Sequence, residues 1–179
     1  MAMQVGPTGQ VASFEPDTSA FNRLKYHVRI NDLQNVKLFE AAASNICASS
    51  NLIVTHGLGS SFSHFQYEDE QVSEQTPTLK VDTVVADELV LRGLIRPPDL
   101  IKVDVQGHGA KALQGSINSI TSKSPVIIFS NHSQWELEGT RKLLEPLGYE
   151  ARKLTGDSMR WKDLNLGTGI LVRLDRKVL

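Results

Sequence analysis

The chain has 179 residues, 40% of them hydrophobic and 22% charged, with a net charge of -1. That length is most simply one domain, residues 1–179, with enough chain to bury a core, and the near-neutral balance excludes a general attraction for nucleic acid or an anionic membrane. The single cysteine, Cys47, excludes an intrachain disulfide and a cysteine-based zinc site and reads as a small buried hydrophobe. No apolar run reaches the length of about 18 residues that a membrane span needs, residues 1–10 show no apolar signal core, and the expected compartment is the cytoplasm.

Residues 1–4 read as the tail of a helix, and Gly6-Pro7-Thr8-Gly9 as a turn into a short strand over 10–15. Asp17 is placed to cap a helix whose apolar face is Phe21, Leu24 and Val28 and which ends near Asn31. A second strand covers 35–39 and leads into Ala41-Ala42-Ala43-Ser44-Asn45. This β-α-β opening implies parallel pairing through a right-handed crossover. Residues 44–77 are rich in Ser, Asn, Gln and Gly, with one strand-like patch at 52–55. Such a long connection is expected to form a short hairpin and a mobile loop over the strand ends. Extended structure resumes at 78–81, where Asp82 is positioned to cap a helix through Leu91.

The most informative stretch is 99–115. Ile101, Val103 and Val105 alternate with Lys102, Asp104 and Gln106, which is strand periodicity. After Gly107-His108-Gly109, Ala110, Leu113 and Ile117 take helical spacing. A strand passing through a glycine turn into a helix is the unit of α/β folds, whose ligands sit at the carboxyl ends of the strands. Asp104 stands there, either as the partner of Lys102 or as a ligand-facing acid. A further buried strand, 125–129, ends at Ser130-Asn131-His132. Ser133-x-x-Glu136 has capping-box spacing for a helix that ends at Gly148. Strands at 149–154 and 168–174, joined by a polar loop over 156–167, close the chain, antiparallel at least in part.

Glu15 ends the first strand. An acid at such a place hydrogen-bonds ribose hydroxyls in nucleotide-binding folds, or simply helps a helix to start. The glycine loop that accompanies such an acid belongs roughly 20 residues earlier, and the glycines before Glu15 sit in the turn next to the strand instead.

Phe14-Glu15-Pro16-Asp17, Asn35-Val36 followed by Ala41-Ala42-Ala43-Ser44-Asn45, and Asp99-Leu100-Ile101-Lys102-Val103-Asp104-Val105-Gln106-Gly107-His108 occur in that order. Together they resemble the FkbM-like family of S-adenosylmethionine-dependent methyltransferases, across residues 5–174. The resemblance implies an α/β, Rossmann-like methyltransferase fold with a mostly parallel sheet flanked by helices. It implies methyl transfer, usually to a hydroxyl oxygen, with Glu15 on the cofactor ribose and Ala43, Ser44 and Asn45 near the adenine. The family's opening strand and Asp-x-Gly-x-Asn-x-Gly loop have no counterpart here. Gln106 stands where the family usually has Glu, Asn45 where it often has Asp, and Ser130 at a position that is often acidic. In the family's sheet the absent strand lies between the 10–15 and 99–105 strands, so unpaired edges and self-association through them are expected.

Asp104 and His108, both at the carboxyl end of the central strand, are the candidates for general base. His132 and Trp135 are placed to line the acceptor side, though a capped helix start explains them equally. The expected partner is a small hydroxylated acceptor such as a sugar or secondary metabolite. Two other readings compete. Gly107-His108-Gly109-Ala110-Lys111-Ala112 fits a G-x-G-x-x-A dinucleotide fingerprint of an NAD(P)-dependent oxidoreductase, but no ribose acid ends the next strand. A non-catalytic remnant or partner-binding module is the other. His56 and His64 flank a glycine-serine loop without ligand spacing or a G-x-S-x-G elbow, so no metal or hydrolase site is expected there.

Overall fold

The computed structural model describes residues 1–55, 57, 63–66, 71–164 and 167–173. His56, most of the glycine-serine loop, the acidic patch at 68–70 and Leu174 lie outside the described residues.

Strand β1 (Val11–Phe14) runs parallel to β2 (Val36–Phe39), in register from Val11 opposite Val36 to Phe14 opposite Phe39. Helix α1 (Thr18–Ile30) makes the crossover, and the Asp17 carboxylate caps it by accepting the Ala20 amide at 2.9 Å. The Phe14 and Phe39 rings stack at 5.0 Å, yet no residue of α1 is fully buried. The 1–4 segment is not a helix tail. Residues 2–8 form turns, with the Gln4 and Val5 amides both donating to the Met1 carbonyl.

Strands β3 (Ala42–Ala43), β4 (Ala48–Ile53), β5 (His64–Phe65) and β6 (Thr78–Val84) form a second sheet in the order β3-β6-β4-β5. Its centre is a long β4–β6 hairpin, from Ala48 opposite Thr83 to Ile53 opposite Thr78. Asp82 lies inside β6, paired with Ser49, and caps nothing. Val81 and Thr83 are buried while Lys80 and Asp82 are exposed, so strand periodicity continues past the expected stop. Helix α2 (Ala86–Leu91) starts after Val85 with no side-chain cap. Cys47 is exposed rather than buried, its thiol 3.4 Å from a Glu88 oxygen, because β4 begins at the rim of its hairpin.

The largest sheet holds β7 (Leu100–Val103), β8 (Val126–Ser130), β9 (Tyr149–Arg152), β10 (Ser158–Met159) and β11 (Thr168–Arg173) in the order β10-β9-β11-β8-β7. The helix expected after β7 breaks at Gly115 into α3 (Gly109–Gln114) and α4 (Ile117–Lys123). A Cβ at Gly115 would overlap the Ser44 carbonyl, so this glycine lets α3 end against the turn after β3. The Asp87 carboxylate accepts the Asn118 and Ser119 amides and holds the start of α4 to α2. Helix α5 (Gln134–Leu144) opens with Ser133 Oγ accepting the Glu136 amide at 3.0 Å. A 3-10 turn, Glu145–Leu147, then stops at Gly148, whose φ of 82° suits glycine.

The expectation of a mostly parallel sheet is corrected: the sheets are mixed. Among the described residues parallel pairing is confined to β1–β2, β3–β6 and β7–β8, and the other pairs are antiparallel. Parallel neighbours need a crossover such as α1 or α3–α4. Among the described residues no α-helix intervenes between β4 and β6 or between β9 and β11, and those pairs return antiparallel.

The buried core draws on Val103, Leu113, Ile127, Phe129, Leu144, Tyr149 and Leu171, and nothing in it comes from β1 or α1. The buried Tyr149 hydroxyl donates to the Pro125 carbonyl at 2.9 Å. Among the described residues β1 pairs only with β2, and β7 only with β8. Arg96 ties the approaches to both, its amide donating to Gln10 and its guanidinium to the Thr8 carbonyl, each at 2.8 Å. No helix among the described residues is long and apolar enough to cross a membrane.

Candidate functional site

Because β7 and β8 are parallel neighbours, the turns that leave them stand side by side. Val103 points into the core, so Asp104 turns away from it. Lys102 Nζ donates to Asp104 Oδ2 at 2.7 Å, and His132 Nε2 lies 3.1 Å from Asp104 Oδ1. The pairing of Asp104 with Lys102 is thus observed, and its other oxygen faces His132 across the strand ends. The Lys102 hydrogen bond holds its carboxyl below the usual aspartate range against partial burial, and His132 adds to the effect. The side chains of His132 and Asp104 keep 24% and 44% of their exposure, which leaves the pair open to a ligand.

A second cluster is closed. His108 Nε2 is 3.1 Å from Ser44 Oγ, both residues are buried, and the Phe65 ring lies 4.3 Å from the imidazole. Burial, with Lys111 adding to it, pushes the His108 pKa down to about 4. A neutral imidazole at ordinary pH suits hydrogen bonding to Ser44 better than taking up a proton. Ala43 ends β3 opposite Val84. Asn45 Nδ2 donates to Gln114 at 3.0 Å. The turn after β3 is thus fastened both to the turn after β7 and to the end of α3.

Glu15 continues the β1–β2 pairing, its amide donating to the Phe39 carbonyl at 3.1 Å. Its Oε1 accepts the Asp17 amide at 2.9 Å, and no hydrogen bond engages Oε2 among the described residues. Half-burial raises its pKa, against the lowering effect of the Asp17 amide. Donors from a bound ligand would relieve that cost, so this carboxylate fits a diol. No hydrogen bond joins Glu15 to Asp104, His108 or His132 among the described residues. The connection runs through the chain, from the end of β2 into β3 and Ser44, and across to His108.

By its spacing from Ser133, Glu136 reads only as a helix cap. It is 2% exposed. One oxygen accepts the His132 amide and the other the Gly109 amide, each at 2.8 Å. The Ser-x-x-Glu spacing marks the residue, but its contact with Gly109 has no local signature. That contact also bears on the dinucleotide reading, because a carboxylate already occupies the amide that a phosphate would need. Trp135, on the first turn of α5, is 66% exposed. His64 lies in β5, paired with Ile53.

Polar groups thus gather at the carboxyl ends of parallel strand pairs in a mixed α/β fold, where α/β proteins bind their ligands. Residues 1–151 match the family described as the methyltransferase FkbM domain, and the chain belongs to that family. The hexuronic acid methyltransferase AglP of Haloferax volcanii is 26% identical over 156 residues, covering 82% of this chain and 58% of that protein. This chain therefore spans little more than half of that relative. The crystal structure of methyltransferase FkbM from Methylobacillus flagellatus KT superposes with a TM-score of 0.58 at 18% identity, covering 91% of this chain and 36% of that one. That likeness concerns the fold.

Proposed function

We propose that this chain serves S-adenosylmethionine-dependent methyl transfer to a hydroxyl of a small acceptor, a sugar or a secondary metabolite. The observation that carries this is the Asp104–His132 contact at 3.1 Å, at the ends of adjacent parallel strands. S-adenosylmethionine supplies the methyl group from a sulfonium. Glu15 is suited to its ribose through the open oxygen, and Ala43, Ser44 and Asn45 to its adenine.

The role of general base passes from His108 to His132 in this reading, since burial makes His108 a weak base and its ring is bonded to Ser44. Asp104 remains ionised and orients His132. With Nε2–H donated to Asp104, the lone pair sits on Nδ1, which would receive the acceptor's proton. The exposed indole of Trp135, three residues on, offers a flat apolar face to a sugar ring. The name of the Haloferax relative, a hexuronic acid methyltransferase, supports a sugar acceptor. A single cysteine needs no oxidising compartment, which supports a cytoplasmic setting.

Calorimetric titration with S-adenosylmethionine tests the donor side, with a smaller binding heat expected for Glu15→Gln. Methyl-transfer assays on hexuronic acids test the acceptor side. His132→Gln and Asp104→Asn should each lower kcat by roughly 10²–10⁴-fold, the range of base assistance. No binding heat at millimolar cofactor would overturn the reading in favour of a non-catalytic, partner-binding module.

A further inference from the structure

We propose that Glu136 is the positioning residue of this site: one buried carboxylate that holds the turns after β7 and β8 together and so sets the Asp104–His132 contact. The proposal rests on the reading of that pair as the acceptor-side base.

A capping-box glutamate ordinarily returns one oxygen to a backbone amide at its own helix start. Glu136 does more. Its Oε2 accepts the His132 amide and its Oε1 the Gly109 amide, each at 2.8 Å, and it is 2% exposed. Withdrawing a carboxylate from water is costly unless it is well bonded, and burial does push its pKa up, against the two amides. His132 donates to this carboxylate through its backbone and meets Asp104 through its ring. Gly109 closes the turn that begins at Asp104. A shift of either turn would separate two groups that now stand at 3.1 Å.

Gly109 is shaped for the contact. A Cβ there would lie 2.5 Å from Glu136 Oε1, 2.9 Å from Val103 Cγ1 and 3.0 Å from Phe129 Cε2. The ordinary cap is supplied separately by Ser133, whose Oγ accepts the Glu136 amide at 3.0 Å. Starting α5 and holding the two turns are thus different tasks. Glutamine cannot replace the carboxylate, because both oxygens face N–H donors and its NH₂ would oppose one of them.

The test is a long-range ¹H–¹⁵N spectrum of the His132 ring in the full chain, with Asp104→Asn as the reference for a broken pair. Glu136→Gln should move the ring signals toward that reference while melting stays cooperative. Gly109→Ala, which pushes from the other side without changing charge, should move them the same way and covers the case in which Glu136→Gln fails to fold. Ser133→Ala should lower the melting temperature and leave the ring signals at their wild-type positions. In the transfer assay, Glu136→Gln should cost about 100-fold in kcat, as expected of a misplaced group, with KM for S-adenosylmethionine unchanged. Ring signals in Glu136→Gln or Gly109→Ala that coincide with wild type would overturn the proposal, as would an equal shift in Ser133→Ala. If the wild-type chain transfers no methyl group, the proposed function fails while the ring signals still decide the role of Glu136.

Discussion

His108 and Asp104 both have lowered pKa values, from different causes, and the result is a charged group in one case and a neutral one in the other. Lys102 keeps Asp104 ionised, while burial keeps His108 neutral down to about pH 4. Between that value and the ordinary histidine range near 6.5, the unfolded chain binds a proton that the folded chain refuses. Stability therefore rises with pH across this window and is lost as the pH falls through it, by roughly 3 kcal/mol at most. Glu15 and Glu136 act the other way, since carboxyls with raised pKa values favour the fold at low pH and lose that contribution as pH rises. Asp104, with its lowered value, contributes stability above the ordinary aspartate range and loses it as pH falls through its folded value, below the His108 window. The readout is therefore a difference. Denaturant midpoints at pH 7 and pH 5 should fall more steeply for wild type than for His108→Gln, and parallel profiles would contradict a buried neutral imidazole.

Helix starts, turns and strand edges show which local signals survive packing. Asp17 and Ser133 cap the helices that their spacing implies, because a cap satisfies donors within its own turn. Asp82 does not, because its neighbours Val81 and Thr83 go into the hairpin's buried face. The edges matter most for behaviour in solution. Each of β1 and β7 leaves one row of backbone groups without a strand partner among the described residues, and Leu100 on β7 is 40% exposed. Such edges are templates for another strand. Sedimentation velocity should show concentration-dependent association that Leu100→Lys weakens. A wild-type chain that sediments as a monomer at every concentration would contradict this.

Across the whole molecule, packing is uneven. The core lies between the largest sheet and α3, α4 and α5, while the β1–α1–β2 unit contributes no fully buried hydrophobic residue. Ile127→Ala should therefore cost about 2–5 kcal/mol in denaturant unfolding. Leu24→Ala on half-buried α1 should cost about 1 kcal/mol. Amides of α1 should exchange before those of β8 and β11, and equal costs with uniform exchange would contradict this division. The amino-acid order by itself determined β1, β2, β7 and β8, the caps Asp17 and Ser133 and the β-α-β opening, because periodicity and capping act over a few residues. It also singled out Glu15, Asp104, His108, His132 and Trp135 as candidates. Only the tertiary structure decided which of them meet. His132 reaches Asp104 across 28 positions, Ser44 reaches His108 across 64, and Glu136 reaches Gly109 across 27. Contacts at that separation follow from how the strands pair and what burial does to each charge, and neither leaves a pattern in the local sequence.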